Sequence, residues 1–178
     1  MCTKKATPQT ADDLPPSRRA HVDAIAGDPL VILRVVCDAG SNILEPTHQY
    51  TMAIAKARFR STVAEKVSLA CWELFSNALS YGSISRPVVL ELIDSNTFVE
   101  LRVSNDAIAV RCQLLDQRVK QLKLDAKGTY LEEMRRSVSG GVPRATLGLA
   151  RVVHEGKMDL DAVVVNSSRV TVTARCAR

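Results

Sequence analysis

The chain has 178 residues, 46% of them hydrophobic and 24% charged, with a formal net charge of +5. That usage is ordinary for a globular protein and excludes uniform disorder, collagen and coiled coil. A chain of this length hides roughly 70% of its unfolded surface, enough for a core without staples. No apolar run approaches the roughly 20 residues needed to cross a bilayer, so no membrane association is expected. Residues 1–13 are polar and charged with no apolar signal segment, and the expected location is the cytoplasm.

The charge is unevenly placed. Up to residue 105 basic and acidic side chains balance; residues 106–144 carry eight basic against five acidic, and residues 145–178 five against three. A basic second half suits an acidic partner or a phosphate-bearing ligand. Aromatic residues make up only 4% and no helix-turn-helix pattern is present, which argues against nucleic acid. The five cysteines, Cys2, Cys37, Cys71, Cys112 and Cys176, are scattered with no C-x-x-C pair. They read as small buried hydrophobes rather than a zinc site or a disulfide framework.

Residues 1–27, with the Pro15-Pro16 pair, read as a flexible leader. A strand is predicted at Leu30–Val36. Pro46-Thr47 opens a helix reaching about Arg60, with Met52, Ala55 and Phe59 on one face. Thr62-x-x-Glu65 has the spacing of a capping box. The helix after it places Val63, Val67, Ala70, Leu74 and Ala78 on a buried face and ends at Gly82. Two alternating runs, Val88–Ile93 and Val99–Val103, form a hairpin about Asp94-Ser95-Asn96-Thr97. Residues 106–144 hold two helical patterns separated at Lys127-Gly128 and end in the glycine-rich Ser139-Gly140-Gly141. A short helix from about Leu147 to Glu155 follows, and a second hairpin, Met158–Val165 with Arg169–Ala174, turns at Asn166-Ser167-Ser168. The order predicts an α+β fold, with helices layered on one face of a mixed sheet.

The most informative stretch is Glu73-Leu74-Phe75-Ser76-Asn77-Ala78-Leu79-Ser80-Tyr81-Gly82. Glu73 and Asn77 are four residues apart and share a helical face, with Tyr81 one turn on. A carboxylate and an amide oxygen so spaced suit a proton acceptor beside a hydrated Mg²⁺. The same spacing also suits a solvated polar stripe. His154-Glu155 lacks the second histidine of a zinc-protease motif, and Gly156-Lys157 lacks the flanks of a P-loop. Cys71 reads as core.

Glu-x-x-x-Asn-Ala followed by Tyr-Gly resembles the N-box of the GHKL (Bergerat-fold) ATPases. The order of elements over about residues 30–175 is similar to theirs as well. Gly128-Thr129-Tyr130-Leu131 and the run Leu147–Gly156 look most like the small SiaB-type and anti-sigma-factor serine kinase regulators. The resemblance implies a two-layer α/β sandwich with a mixed, mainly antiparallel sheet, a domain over 28–178 and a lid at about 106–144. It implies Glu73 as catalytic base and Asn77 as the residue holding Mg²⁺ on the phosphates of ATP or ADP. Tyr81 also falls in the nucleotide-binding region by this resemblance.

Two family boxes are altered. The adenine-reading Asp-x-Gly-x-Gly falls on Asn105-Asp106-Ala107-Ile108-Ala109: an amide replaces the carboxylate, and both glycines carry a Cβ. Asp106 is a candidate substitute, although one step along a strand turns a side chain to the other face. The phosphate box falls on Arg144-Ala145-Thr146-Leu147-Gly148-Leu149, where Gly148 persists, Arg144 offers a charged fork and Thr146 a helix cap. The implied function is partner switching: the protein binds a small anti-anti-sigma-like or sigma-like protein and, with ATP, phosphorylates it on Ser or Thr. The alternative is a docking module that has lost nucleotide. A regulatory protein partner is expected in both, and a homodimer is compatible with either. Histidine autokinase activity is disfavoured, because the chain offers no dimerisation helix pair for a phosphoacceptor histidine.

Overall fold

The computed structural model describes residues 28–83, 86–138, 144–166 and 168–178, with the side chains of residues 138 and 144–146 outside that description. The leader and Gly140-Gly141 thus lie outside the described residues. The elements run β1 (Leu30–Cys37), α1 (Leu44–Arg58), α2 (Ser61–Tyr81), β2 (Val88–Asp94), β3 (Phe98–Asp106), α3 (Ala109–Leu124), α4 (Ala126–Val138), α5 (Arg144–His154), β4 (Asp159–Val165) and β5 (Arg169–Ala177). The five strands form one sheet in the order β1-β2-β3-β5-β4. Each described pairing is antiparallel, in line with the mainly antiparallel sheet expected from the sequence. The five helices of the described residues form a second layer, giving the two-layer α+β sandwich.

Register explains which side chains face the helices. Leu92 pairs with Leu101 and Leu101 with Ala174, while Val103 pairs with Leu90 and Val172. All of these are buried in the core, with Phe75 of α2 wholly enclosed among them. The alternate residues of the same strands face away and include the charged Glu91, Glu100, Arg102 and Arg175 beside uncharged Val89, Ile93, Ser104, Thr171 and Thr173. There Glu100 is buried under Arg102, at 2.7 Å, and Arg175, at 2.5 Å. Arg102 continues to Glu91 at 3.7 Å, and Glu91 to Arg34 at 3.6 Å. Cross-strand charge pairs of this kind hold register on a face that lacks apolar cover.

Several local expectations change in detail. Helix α2 begins at Ser61, with Arg60 as its cap residue and no side-chain cap. Thr62 therefore sits inside the first turn, and Ser61 Oγ donates to Glu65 Oε1 at 3.0 Å instead. Gly82 ends the helix in an extended conformation, φ −65° and ψ 150°. Its lack of a side chain matters for space: a Cβ there would meet the Ala78 carbonyl, with the Ala39 Cβ 3.2 Å away. The break between α3 and α4 falls at Asp125 rather than at Lys127-Gly128. Asp125 Oδ1 accepts the Gly128 amide at 2.8 Å, an N-cap bond to the third helical position. Pro46 lies in the first turn of α1, where its missing N–H costs no helical bond. Asn166 turns the second hairpin with φ 51°, a left-handed conformation that asparagine tolerates.

Between β3 and α5, residues 109–138 are packed as the two helices α3 and α4. Cys112, Val119 and Leu122 of α3 are buried, and so are Thr129 and Glu133 of α4. Arg118 of α3 pairs with Glu133, which ties the two helices together. Cys71, Cys112 and Cys176 are buried free thiols, as their scatter suggested, and Cys37 is half-buried. Burial pushes the Cys71 thiol up to about 11, which suits a core residue and not a nucleophile.

Because Phe75 fills the space between α2 and the sheet, Phe75→Ala is expected to cost about 3–5 kcal/mol of unfolding free energy. Urea titration should show a lower midpoint with an unchanged slope.

Candidate functional site

Rotation of α2 is set by its buried stripe, Val63, Val67, Ala70, Cys71, Leu74, Phe75 and Ala78. The flank of that stripe carries Glu73, Asn77 and Tyr81 at helical spacing, and all three open onto clefts. Two adjoining cavities share Asn77 and Tyr81 as a common wall. The first, about 300 Å³, lies between α2, the inner face of β3 and β5, and α3. Its lining is mainly apolar, including Leu74, Val103, Leu115 and Val172, with Asn105 among the few polar groups. The second, about 360 Å³, is polar and includes Glu73, Ser76, Ser80, Gly148 and Arg151. Ser137, near the end of α4, also reaches it.

Glu73 is held from two sides. Arg151 Nη1 donates to Glu73 Oε1 at 2.5 Å, a charge-assisted bond on a carboxylate only 12% exposed. On the other side the carboxylate lies against Gly148. A Cβ on Gly148 would collide with Glu73 Oε2 and come within 3.2 Å of its Cδ. This is why a glycine stands at that turn of α5. Burial raises the Glu73 carboxyl above its ordinary range; the charge and hydrogen bond of Arg151 oppose the rise, and Glu155 adds to it. A half-desolvated carboxylate beside a cleft is the pattern expected of a proton acceptor.

The other sequence candidates divide. Asn105 is buried at the end of β3, and its amide nitrogen donates to the Asp106 carbonyl at 3.1 Å. That leaves the amide oxygen as the group suited to accept a hydrogen bond from a ligand in the apolar cavity. Asp106 stands on the opposite face, as the strand alternation requires. Its carboxylate accepts Arg169 Nη1 at 2.9 Å and has Arg86 Nε at 3.6 Å, and it lines neither cavity. Asp106 therefore braces the hairpin end, on the face away from the cavity that Asn105 lines. Gly148 lines the polar cleft. The side chains of Arg144 and Thr146 lie outside the described residues. The backbone places Thr146 at the third position of α5, which begins at Arg144, so Thr146 is not the N-cap.

Residues not singled out from the sequence complete the site. Arg111, in the first turn of α3, sits with its Cζ 5.0 Å from the Tyr81 ring centroid and lines the apolar cavity. Arg151 lies one turn after Gly148, and that i, i+3 spacing was the available signal. Trp72, beside Glu73, lines the polar cleft and a third cavity of about 510 Å³. This third cavity also contains His48, Met52 and Lys56, and the Glu73–Arg151 pair stands between it and the polar cleft. Among the described residues, no group of three or more His, Cys, Asp or Glu side chains is placed to hold a metal ion. A larger cavity of about 620 Å³, around Glu100, Lys123, Asp161 and Arg175, shares no residue with these clefts.

No family model matches the chain, and no curated protein matches it. Among solved structures, a chain in the crystal structure of the SiaB–SiaC complex from Pseudomonas aeruginosa is similar, with a TM-score of 0.59. The likeness is one of fold. It covers 93% of this chain and 99% of that one, at 14% sequence identity. Among the described residues, no helix is long and apolar enough to cross a membrane.

Two predictions follow from the packing of Glu73. Gly148→Ala is expected to destabilise the fold by about 1–3 kcal/mol through overpacking. Most of that loss should disappear when Glu73→Ala is added, a non-additivity readable by urea unfolding. The second concerns pH. The folded protein holds the Glu73 proton to higher pH than the unfolded chain, where a glutamate titrates near about 4.3. Stability should therefore fall as pH rises from there through the folded value, and Glu73→Gln should remove that part of the fall.

Proposed function

We propose that this protein is a signalling regulator that binds a protein partner and takes a nucleotide in the twin cleft along α2. The observation that carries this reading is the continuity of a base-sized apolar cavity with a polar cleft, across Asn77 and Tyr81, with Glu73 at the far end. The SiaB–SiaC structure, similar in fold, is a complex of two proteins, which supports a protein partner here. The sequence resemblance to GHKL regulators points the same way.

The residues fit a nucleotide unevenly. Leu74, Val103 and Val172 suit the flat faces of a base, and the Asn105 amide oxygen suits its amino group. Arg111, over Tyr81, offers a cation near the junction of the two cavities. Asn77 would hold Mg²⁺ through its amide oxygen, and the ion would screen charge between the phosphates. Glu73 would accept the proton of a Ser or Thr hydroxyl on the partner as that oxygen bonds to the γ-phosphorus of ATP. The bond to the β-bridging oxygen breaks and ADP leaves. For this, Arg151 must release Glu73 or share it. The alanine at 107, where the GHKL pattern has glycine, lines the apolar cavity and takes up space beside the base.

A second reading is favoured by one observation, the 2.5 Å pair that already engages the base. In that reading the fold acts by docking alone. Calorimetric titration with ATP and with ADP, each with Mg²⁺, separates the two. Micromolar binding that is lost in Asn77→Ala supports the nucleotide site, and Glu73→Ala should then lower phosphoryl transfer by about 10²-fold or more. No heat up to millimolar nucleotide would leave docking as the function.

A further inference from the structure

We infer that Arg151 is a positioning residue that couples Glu73 to helix α4 by way of Glu155 and Tyr130. Its guanidinium is shared between two carboxylates on different elements. Nη1 bonds Glu73 Oε1 on α2, while Nε faces Glu155, 3.2 Å from Oε2 and 3.4 Å from Oε1. The relay continues: Glu155 Oε1 accepts the Tyr130 hydroxyl of α4 at 2.7 Å. The Tyr130 ring is stacked on His154, with centroids 4.6 Å apart. Helix α4 also contributes Ser137 to the polar cleft. The same helix thus forms part of the cleft and is tied, through one arginine, to the carboxylate inside it.

The chemistry favours a shift between two arrangements. A guanidinium is a planar fork of five donors and can close on either carboxylate as a bidentate pair. Freed from Glu73, Arg151 closes fully on Glu155 and draws that carboxylate from Tyr130, which loosens α4. Anchored on Glu73, it leaves Glu155 available to the tyrosine. Occupancy of the Glu73 side is therefore reported to α4, on the rim of the cleft.

The role of Glu73 as a base rests on the function proposed above; the coupling does not, and it is tested without nucleotide. Unfolding equilibria are measured for the full chain, Glu73→Gln, Tyr130→Phe and the double variant. The emission of Trp72, the one tryptophan of the chain, serves as the probe. Glu73 bonds Arg151 and Tyr130 bonds Glu155, not each other, so independent sites would multiply within about twofold in the unfolding constant. The relay predicts a departure of about threefold or more. In an Arg151→Lys background, which keeps charge but loses the fork, the departure should vanish. Amide exchange across residues 126–138 should also quicken in Glu73→Gln. Multiplicative effects, coupling that persists in Arg151→Lys, or unchanged exchange in α4 would each overturn the proposal. A protein that binds no ATP yet shows the coupling would retain the relay and lose only the nucleotide reading.

Discussion

Burial of Val67, Ala70, Leu74, Phe75 and Ala78 against the sheet sets the rotation of α2, and each cleft-lining side chain of that helix takes its direction from this one packing decision. A helix turns 100° per residue, so Glu73, Asn77 and Tyr81 follow the edge of the apolar stripe at fixed angles to it. Shifting the stripe by one residue would carry Glu73 away from Gly148 and Arg151. The core contact is thus also the constraint on the site, and the sheet register on the opposite wall does the same for Asn105. Val103 and Asn105 face inward with Val170 and Val172 because β3 and β5 pair in one register; Asp106, one step on, faces out.

Two kinds of electrostatics operate on the two faces of the sheet. On the open face, Arg34, Glu91, Arg102, Glu100 and Arg175 form a ladder that links β1 to β5. Most of its arginines are well exposed, so solvent screens them and their value is chiefly in register. On the helical side, the Glu73–Arg151 pair borders the clefts, with the carboxylate largely buried and the guanidinium partly exposed. A pair of that kind holds its partners in place until another charge competes for one of them.

The fold was largely legible in the sequence. Alternation in Val88–Ile93 and Val99–Val103 marked a hairpin because strand side chains repeat every two residues, and the α2 stripe marked a buried helix for the analogous reason. The helical insert was visible as a pattern, but its break was displaced. Gly128 is a helix breaker by propensity, while Asp125 takes the boundary by capping the Gly128 amide, a three-residue contact that only the folded backbone defines. The same holds for Thr62 and Thr146: each is a good capping residue, and in each case the helix begins earlier.

For the site, spacing alone placed Glu73 and Asn77 together, since four residues of helix bring side chains onto one face whatever surrounds them. The sequence also determined the order of elements, the apolar faces and the alanines at positions 107 and 109. Tertiary structure decided what those residues meet. Arg151 is 78 positions from Glu73, and nothing local to either predicts a 2.5 Å pair. Asp106 and Asn105 are neighbours in sequence but lie on opposite faces, and only strand pairing shows which of them turns toward the cavity. Periodicity is a property of one segment, whereas a shared cleft depends on how distant segments are rotated and registered against each other.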